Sequence, residues 1–289
     1  MTQSLDHQYI AVLKDLIDKS ESNPEIRDRT GVGTFKSFGN IITIDISNSF
    51  PMLLSRQVPI KSMITEFLFF LNGYTNNEWL IERGCKFWDE FKHPETSELG
   101  PVYGAQLRNF NNQGYDQLVN LIEGLKTRPN SRRHMFSYFN PLVMPDETKG
   151  HKENIEEGRA VLPPCHLFYQ FNVEDGNLDG LLYQRSADWC IGTPINIAQT
   201  ALWVYFLSTL CGYKPRNLVY MTGDTHVYSS HIEEGKKLIE CCGSISEFIY
   251  PQMKVSPEIC KKRIEDITFE DFELIGYNPV YKANFKIAV

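Results

Sequence analysis

The stretch HLFYQFNVEDGNLDGLLYQ (166–184) decides the fold. Apolar and aromatic residues stand on both sides of the tetrapeptide EDGN (174–177), which is typical of a β-hairpin turn. We therefore predict two paired strands, at 166–173 and 178–184. Further along, Pro194 opens a segment up to Gly212 that is apolar on nearly every side. Such a segment predicts a helix that lies in the hydrophobic core.

Outward from this hairpin, hydrophobic spacing predicts further elements. Helical spacing is found at residues 10–17, 59–71 and 118–125. Alternating isoleucines predict a strand around 42–46, and the pattern of residues 133–140 also predicts an extended segment. Residues 144–159 are charged and almost without apolar anchors, so we predict a surface loop there. Because no repeat or Gly/Ser linker interrupts the sequence, we interpret 1–289 as a single domain.

Composition and charge exclude several classes of protein. Hydrophobic residues make up 42% of the 289 residues and charged residues 22%, which is typical of a globular protein. The net charge of −7 argues against a stable nucleic-acid partner. The sequence has no basic leader and no apolar run of roughly 18 residues, so we expect neither secretion nor a membrane. Seven cysteines without a C-x-x-C pair predict a reduced, cytoplasmic protein without a structural metal.

Two residues are candidates for covalent and proton-transfer chemistry. Glu66 lies in an apolar helical segment, where burial would raise its pKa toward the range useful for proton transfer. The alternative is a structural glutamate neutralised by an arginine. Cys165 follows two prolines at the entrance of a strand, where a thiol nucleophile would need cationic neighbours. The alternative here is a buried structural cysteine.

Polar residues elsewhere could bind an anionic ligand. Arg132-Arg133 and Arg185-Ser186 suit a phosphate monoester, although paired arginines are also common on solvated surfaces. His226 and Tyr228 share one face if their segment is extended, as a ligand-binding pair or as a polar rim. His166 would point away from its neighbour Cys165, so a Cys–His hydrolase would need His226 or His231 instead.

Nine motifs, in order along the chain, carry a family resemblance. They are DRTGVGT (28–34), FWDE (87–90), LGPVYG (99–104), NSRR (130–133), LPPCH (162–166), FYQF (168–171), YQRSAD (183–188), GTPINIA (192–198) and GDTHVY (223–228). Through them the sequence resembles the thymidylate synthase family from about residue 5 to residue 289. The resemblance implies an α/β (α+β) fold in which a large bent mixed sheet is flanked by helices and forms a homodimer interface with one face. It also implies a pyrimidine nucleotide substrate and 5,10-methylenetetrahydrofolate as co-substrate, without a metal.

The resemblance also implies roles for residues at matched positions. Cys165 would add to C6 of the pyrimidine, and Glu66 would relay protons, with Arg185, Asp188 and Asn196 completing the catalytic set. The remaining roles concern the two ligands. The phosphate would be held by Arg29, Arg185 and Ser186 with Arg132 and Arg133 from a partner subunit, the deoxyribose by His226 and Tyr228, and the folate by Trp88, Asp188, Ile191, Gly192 and Val289.

The amide of Asn196 offers a donor and an acceptor that match the uracil edge. Cytosine presents the opposite pattern, so Asn196 favours dUMP as the substrate.

The sequence departs from the usual family pattern mainly on the folate side. The departures are Arg56, Pro59, Phe91, Leu107, Ala187, Trp189, Cys190 and Thr193, together with a longer segment at 144–159. We therefore expect reductive methylation of dUMP to dTMP. The alternatives are a dUMP 5-hydroxymethylase, in which water replaces the hydride, and a non-catalytic relative that binds nucleotide or RNA.

Overall fold

A computed structural model describes residues 4–27 and 31–286 of the chain. Its α-helices are α1 (Leu5–Ser22), α2 (Ile60–Leu71), α3 (Glu78–Ile81), α4 (Tyr103–Arg108), α5 (Gln117–Thr127), α6 (His151–Glu156), α7 (Gly192–Cys211) and α8 (Ile232–Gly243). Its strands are β1 (Ile26–Arg27), β2 (Gly33–Asp45), β3 (Met135–Ser137), β4 (His166–Glu174), β5 (Asn177–Asp188), β6 (Lys214–Tyr228), β7 (Gln252–Val255) and β8 (Phe272–Ile275). Short 3-10 helices lie at Pro141–Val143, Ser229–His231, Pro257–Lys261, Ile264–Asp266 and Phe269–Asp271.

The main sheet is mixed and has six strands in the order β1-β2-β6-β5-β4-β3. The pair β5–β6 is parallel and is connected through α7, whereas the other pairs are antiparallel. The predicted hairpin is confirmed as β4–β5. Asp175 and Gly176 both have positive φ, at 49° and 75°, which fits a type I′ turn. The predicted α/β class and the mixed sheet with flanking helices are therefore confirmed.

The core helix α7 packs against one face of β5 and β6, as its all-round apolar sequence predicted. Gly180 on β5 makes this packing possible, because a Cβ there would overlap the Val204 side chain. The helix ends where Gly212 adopts the left-handed conformation with a φ of 79°. The helices predicted at 59–71 and 118–125 are also confirmed, as α2 and α5.

Residues 144–159 do not form the plain surface loop that the sequence predicted, because they contain helix α6. Asn154, 2% exposed, donates through Nδ2 to the carbonyls of Asp146, Lys149 and Gly150 and accepts from the Asp146 N–H. A buried amide, together with Ile155, which packs against the core, thus anchors the segment. Among the described helices, none is long and apolar enough to cross a membrane.

Two neighbouring rows of side chains show that the faces of the sheet differ. The inner row is buried and runs across five strands; its members are Ile42, Tyr220, Leu182, Tyr169 and Phe136. The outer row, one residue along, is half-buried to exposed; its members are Ile41, Met221, Tyr183 and Phe168. In the described chain, this outer row is an apolar surface without a covering layer, and Ile41 is 60% exposed.

Candidate active site

The candidate site lies at the carboxyl end of the parallel pair β5–β6, where open α/β sheets commonly bind ligands. Along β5, every second side chain faces the core, and these side chains are apolar up to Leu182. The next positions on the same side of the strand are polar, namely Gln184, Ser186 and Asp188. On β6 their register partners are Asp224, opposite Ser186, and His226, opposite Asp188. The pleat of two strands therefore places these polar groups side by side.

Cys165 is fixed from two directions at the entrance of β4. Its N–H donates to the Tyr103 hydroxyl at 2.8 Å, and its carbonyl accepts from the Arg185 N–H at 2.9 Å. The Arg185 guanidinium donates to the carbonyls of Pro163 and Pro164, each at 2.9 Å. Burial raises the pKa of the Cys165 thiol, and the charge of Arg185 acts in the opposite direction. The arginine next to this thiol favours the thiolate, as a nucleophile there requires.

Glu66 is buried on α2 and accepts two hydrogen bonds. Trp88 Nε1 donates to Oε1 at 2.7 Å, and Gln199 Nε2 donates to Oε2 at 3.0 Å. Burial raises the pKa of Glu66 to about 7, although both hydrogen bonds act to lower it. The carboxyl therefore exists in both protonation states near neutral pH, which suits proton transfer. The partners are an indole and an amide, whereas the structural alternative required an arginine.

Aromatic contacts join Glu66 to Cys165 through Trp88 and Tyr103. The rings of Trp88 and Tyr103 lie edge to face, with their centroids 5.9 Å apart. Trp88 donates to Glu66, and the Tyr103 hydroxyl accepts from the Cys165 N–H. The proposed nucleophile and the proposed proton carrier thus belong to one contiguous cluster.

Asn196, in the first turns of α7, belongs to a network of buried polar groups. Its Nδ2 donates to Gln184 Oε1 at 3.2 Å, and the same oxygen accepts from the Tyr220 hydroxyl at 2.5 Å. Burial lowers the pKa of the nearby His166 to about 4, while a hydrogen bond with Asn196 acts to raise it. A neutral histidine and a glutamine thus hold the orientation of the Asn196 amide, which base recognition by an amide requires.

His226 and Tyr228 lie on one face of β6, with ring centroids 5.4 Å apart. His226 Nδ1 is 2.9 Å from Asp224 Oδ1, and Lys36 forms an ion pair with the same carboxylate at 3.0 Å. Because a carboxylate can only accept, Nδ1 carries the proton and Nε2 of the neutral ring is an acceptor. The hydrogen bond to His226 lowers the pKa of Asp224.

The loop that follows β5 is held by distant parts of the chain. Asp188 Oδ1 accepts from the N–H groups of Cys190 and Ile191, at 2.9 and 3.1 Å. Tyr9 on α1 donates its hydroxyl to the Trp189 carbonyl at 2.7 Å, and Trp189 Nε1 donates to the Tyr9 carbonyl at 3.0 Å. The Arg56 guanidinium also donates to the Cys190 carbonyl. These contacts fix the backbone that carries Asp188, Ile191 and Gly192.

Some predicted site residues do not join this cluster. Arg132 and Arg133 are exposed at the turn between α5 and β3, beside a cavity of about 270 Å³. The neighbouring His134 carbonyl accepts from Phe171 N–H, six residues beyond Cys165 along β4. At roughly 3.3 Å per residue, about 20 Å separates these arginines from Cys165. Arg29 and Val289 lie outside the described residues.

Sequence reasoning did not identify four residues that shape the site, namely Tyr103, Gln184, Gln199 and Tyr220. The sequence pattern could have identified Gln184 and Gln199, because each is a polar residue at a core-facing position of an apolar element. Within residues 4–27 and 31–286, no group of three or more His, Cys, Asp or Glu side chains is arranged to hold a metal ion.

Comparison with known proteins agrees with the motifs. The thymidylate synthase family model matches residues 7–289. Thymidylate synthase of Francisella philomiragia subsp. philomiragia is 36% identical over 282 residues, which cover 97% of this chain and 99% of that protein. The bifunctional dihydrofolate reductase-thymidylate synthase of Paramecium tetraurelia is 36% identical over 306 residues, which cover 98% of this chain and 61% of that protein.

Proposed function

This chain belongs to the thymidylate synthase family of methyltransferases, and on that premise we propose that it converts dUMP to dTMP with 5,10-methylenetetrahydrofolate. The observation that carries the proposal is the cluster in which Tyr103, bonded to the Cys165 N–H, and Trp88 join Cys165 to the protonatable Glu66. A nucleophile, its cationic neighbour and a carboxyl with a pKa of about 7 are the groups that this reaction requires.

The first step is addition of the Cys165 thiolate to C6 of the uracil. Because an enolate then forms along O4 and C5, C5 becomes nucleophilic and attacks the one-carbon unit of the folate. Arg185 favours the thiolate by its charge, and its bonds to Pro163 and Pro164 fix the loop that carries the thiol. The proton on C5 must then leave, so that the bond to the folate nitrogen can break. Hydride from tetrahydrofolate completes the methyl group, and expulsion of the thiolate releases dTMP and dihydrofolate.

Glu66 is proposed as the proton relay for these steps. Its pKa of about 7 lets it both deliver and remove protons near neutral pH, through water or directly. Trp88 and Gln199 hold one carboxyl oxygen each, so the group keeps its direction through the cycle.

Asn196 is proposed to select uracil over cytosine. An amide can donate to O4 and accept from N3–H, whereas cytosine presents the opposite pattern. Its network with Gln184 and His166 limits rotation of the amide. His226 Nε2, as an acceptor, and Tyr228 are proposed to bind the 3′-hydroxyl of the deoxyribose.

A homodimer is proposed because the phosphate site would otherwise lack two arginines. Arg185, Ser186 and Arg29 would hold the phosphate from within one chain. Arg132 and Arg133 stand about 20 Å from Cys165 along their own β4, so they would serve the site of a second copy. The apolar outer row of the sheet, from Ile41 to Phe168, offers that copy a self-complementary face.

The folate co-substrate fits the side of the site opposite the phosphate residues. Trp88 offers an aromatic edge, and Ile191 offers an apolar side chain at the start of α7. Gly192 lies beside Asn196, since a Cβ at this position would be in ordinary van der Waals contact with the amide nitrogen, at 3.4 Å. Asp188 is proposed to bind the pterin, and Val289 to close the site as part of the C-terminal segment.

The direct test is incubation of the purified protein with dUMP and 5,10-methylenetetrahydrofolate. We expect dTMP by mass and one dihydrofolate for each dTMP, seen as a rise in absorbance. Formation of 5-hydroxymethyl-dUMP without dihydrofolate would favour the hydroxymethylase. Nucleotide binding without any turnover would favour the non-catalytic alternative.

A further inference from the structure

We propose that helix α6 is a positioning element for the folate side of the site, acting through Phe91 on Trp88. The inference rests on the proposed function, since Trp88 matters here as one of the residues proposed to bind the folate. The family resemblance implies that the segment at 144–159 and Phe91 are both departures from the usual pattern, and His151 of that segment lies against Phe91. The two departures are therefore parts of one structure.

The segment has the internal bonding of a rigid element. The Asn154 side chain ties together Asp146, Lys149 and Gly150, and Thr148 closes a turn on Asp146 Oδ1 through its N–H and its hydroxyl. An ion pair between Lys149 and Glu157 spans the ends of α6. A segment held in this way can transmit a position, which a mobile loop cannot.

The segment is also fastened to the protein at its carboxyl end. The Arg159 carbonyl lies so close to Gly100 that a Cβ at Gly100 would overlap it, and Gly100 has a φ of 71°. Val161 N–H donates to the Leu99 carbonyl at 2.9 Å. Arg159 Nη1 returns to the Met144 carbonyl at 2.9 Å, so the two ends of the segment are held together.

Helix α6 contacts the residues after Trp88 at three points. The His151 ring lies 5.7 Å from the Phe91 ring, and Lys152 forms an ion pair with Glu95 at 2.7 Å. Glu156 Oε1 is 3.5 Å from Nε2 of His93, which is 4% exposed. His93 Nδ1 accepts from two backbone N–H groups at 3.2 Å, so its Nε2 carries the proton and points to Glu156.

The contacts continue inward to the proton relay. Phe91 meets Trp88 edge to face, with centroids 6.3 Å apart, and Trp88 Nε1 donates to Glu66. Phe91 therefore has His151 on its outer side and Trp88 on its inner side. Loss of the outer contact frees Phe91 to move, and the orientation of the Trp88 indole toward the folate becomes less defined.

The test compares three substitutions: His151→Ala, which removes the ring, His151→Phe, which keeps it, and Glu153→Ala, a matched control at an exposed side chain of the same helix. For His151→Ala we expect the KM for methylenetetrahydrofolate to rise about three- to tenfold, the factor expected for one aromatic contact. The KM for dUMP should stay within about twofold. His151→Phe should restore the folate KM, and Glu153→Ala should leave both constants unchanged.

Two further measurements keep the outcome decisive. Glu156→Gln removes the charge that faces His93, and we expect a folate KM raised about twofold, which provides a second route if His151→Ala does not fold. Calorimetric folate affinity with dUMP bound needs no turnover, so it tests α6 even if the wild type forms no dTMP. An unchanged folate affinity in both His151→Ala and Glu156→Gln would overturn the inference. So would an equal rise in both KM values in His151→Ala and Glu153→Ala, because that pattern indicates general loss of structure.

Discussion

Arg185, Ser186 and His226 stand on two paired strands, whereas Trp88, Phe91 and Ile191 stand on loops held by contacts from far along the chain. We call the first set the nucleotide side and the second set the folate side. On the nucleotide side, the register of β5 and β6 alone brings the groups together. On the folate side, the same result requires contacts from Tyr9, Arg56 and helix α6.

The difference teaches what fixes the geometry of each side. A pleated strand fixes the direction of every second side chain, so the nucleotide side depends on few tertiary contacts. In a loop the backbone does not fix side-chain directions by a regular pattern, so these directions depend on the tertiary contacts of the loop. Of the departures that the family resemblance implies, Trp189, Cys190 and Phe91 lie in loops of the folate side. Others lie within regular elements, namely Leu107 in α4, Ala187 in β5 and Thr193 in α7. The predictions below separate the two sides.

The largest expected effect is that of Cys165→Ser. The hydroxyl is a far weaker nucleophile than the thiolate, so we expect turnover to fall by about 10³-fold or more. Binding of dUMP, measured by calorimetry, should stay within a few fold, because the nucleotide side is untouched. Cys260→Ser, at an exposed cysteine, is the control and should keep wild-type turnover. Full turnover in Cys165→Ser would mean that the nucleophile is assigned wrongly.

The nucleotide side should need two subunits. Arg133→Ala and Cys165→Ala homodimers should each be nearly inactive, and subunit exchange should restore activity at one of the two sites of each heterodimer. One site of that heterodimer carries both defects and the other carries neither. Activity is measured as dTMP formed after exchange is verified by native mass spectrometry. Exchange without recovery would place the arginines in the site of their own chain.

Asn196→Asp should weaken the preference for uracil. We expect the ratio of kcat/KM for dUMP over dCMP to fall about 10- to 100-fold, because a buried edge group that loses its match is penalised strongly. Asn112→Asp, in an exposed turn, should leave this ratio unchanged. An unchanged ratio in Asn196→Asp would remove Asn196 from base recognition.

Glu66 should make the stability of the protein depend on pH. Its pKa of about 7 in the folded protein lies above the ordinary 4.5, so the folded state favours the protonated form. The contribution of Glu66 to the free energy of unfolding is therefore fully present below about pH 4.5. It is lost as pH rises through 7, which lowers the free energy of unfolding by about 3 kcal/mol at most. In Glu66→Gln this loss should disappear, so the variant should gain stability over the wild type between pH 5 and pH 8. Urea unfolding at both values measures this gain.

The control for that measurement is Glu123→Gln, at an exposed carboxyl on α5. It should show the same pH dependence as the wild type. If Glu66→Gln also follows the wild type, then the carboxyl is ionised in the folded protein at neutral pH and the proposed relay loses its basis.

Much of this molecule could be predicted where the signal is local. The EDGN turn needs two residues with positive φ, which Asp175 and Gly176 supply. A helix that is apolar on nearly every side, as α7 is, can only lie in the core. The burial of Glu66 followed from its apolar neighbours in the same way. Each of these features depends on residues within one element.

Other features depend on contacts that no local pattern contains. Helix α6 was missed because its anchors are one buried polar residue, Asn154, and one apolar residue, Ile155, which form no helical repeat. The parallel pairing of β6 with β5 requires the chain to cross over through α7, and the sequence of 214–228 does not reveal its partner strand. The distance of Arg133 from Cys165 follows from the register of β3 on β4, which the sequence does not give.

The central claim is that Cys165 bonds to C6 and that the C5 proton then leaves, in one site that also holds the folate. The most direct test replaces the C5 proton by fluorine, since fluorine cannot leave as a cation and the reaction must stop after carbon–carbon bond formation. With 5-fluoro-dUMP and methylenetetrahydrofolate together, we predict that the protein gains the mass of both ligands, on the peptide that contains Cys165. A protein whose mass stays unchanged, or one that carries the ligands on another cysteine such as Cys85 or Cys190, would contradict the account.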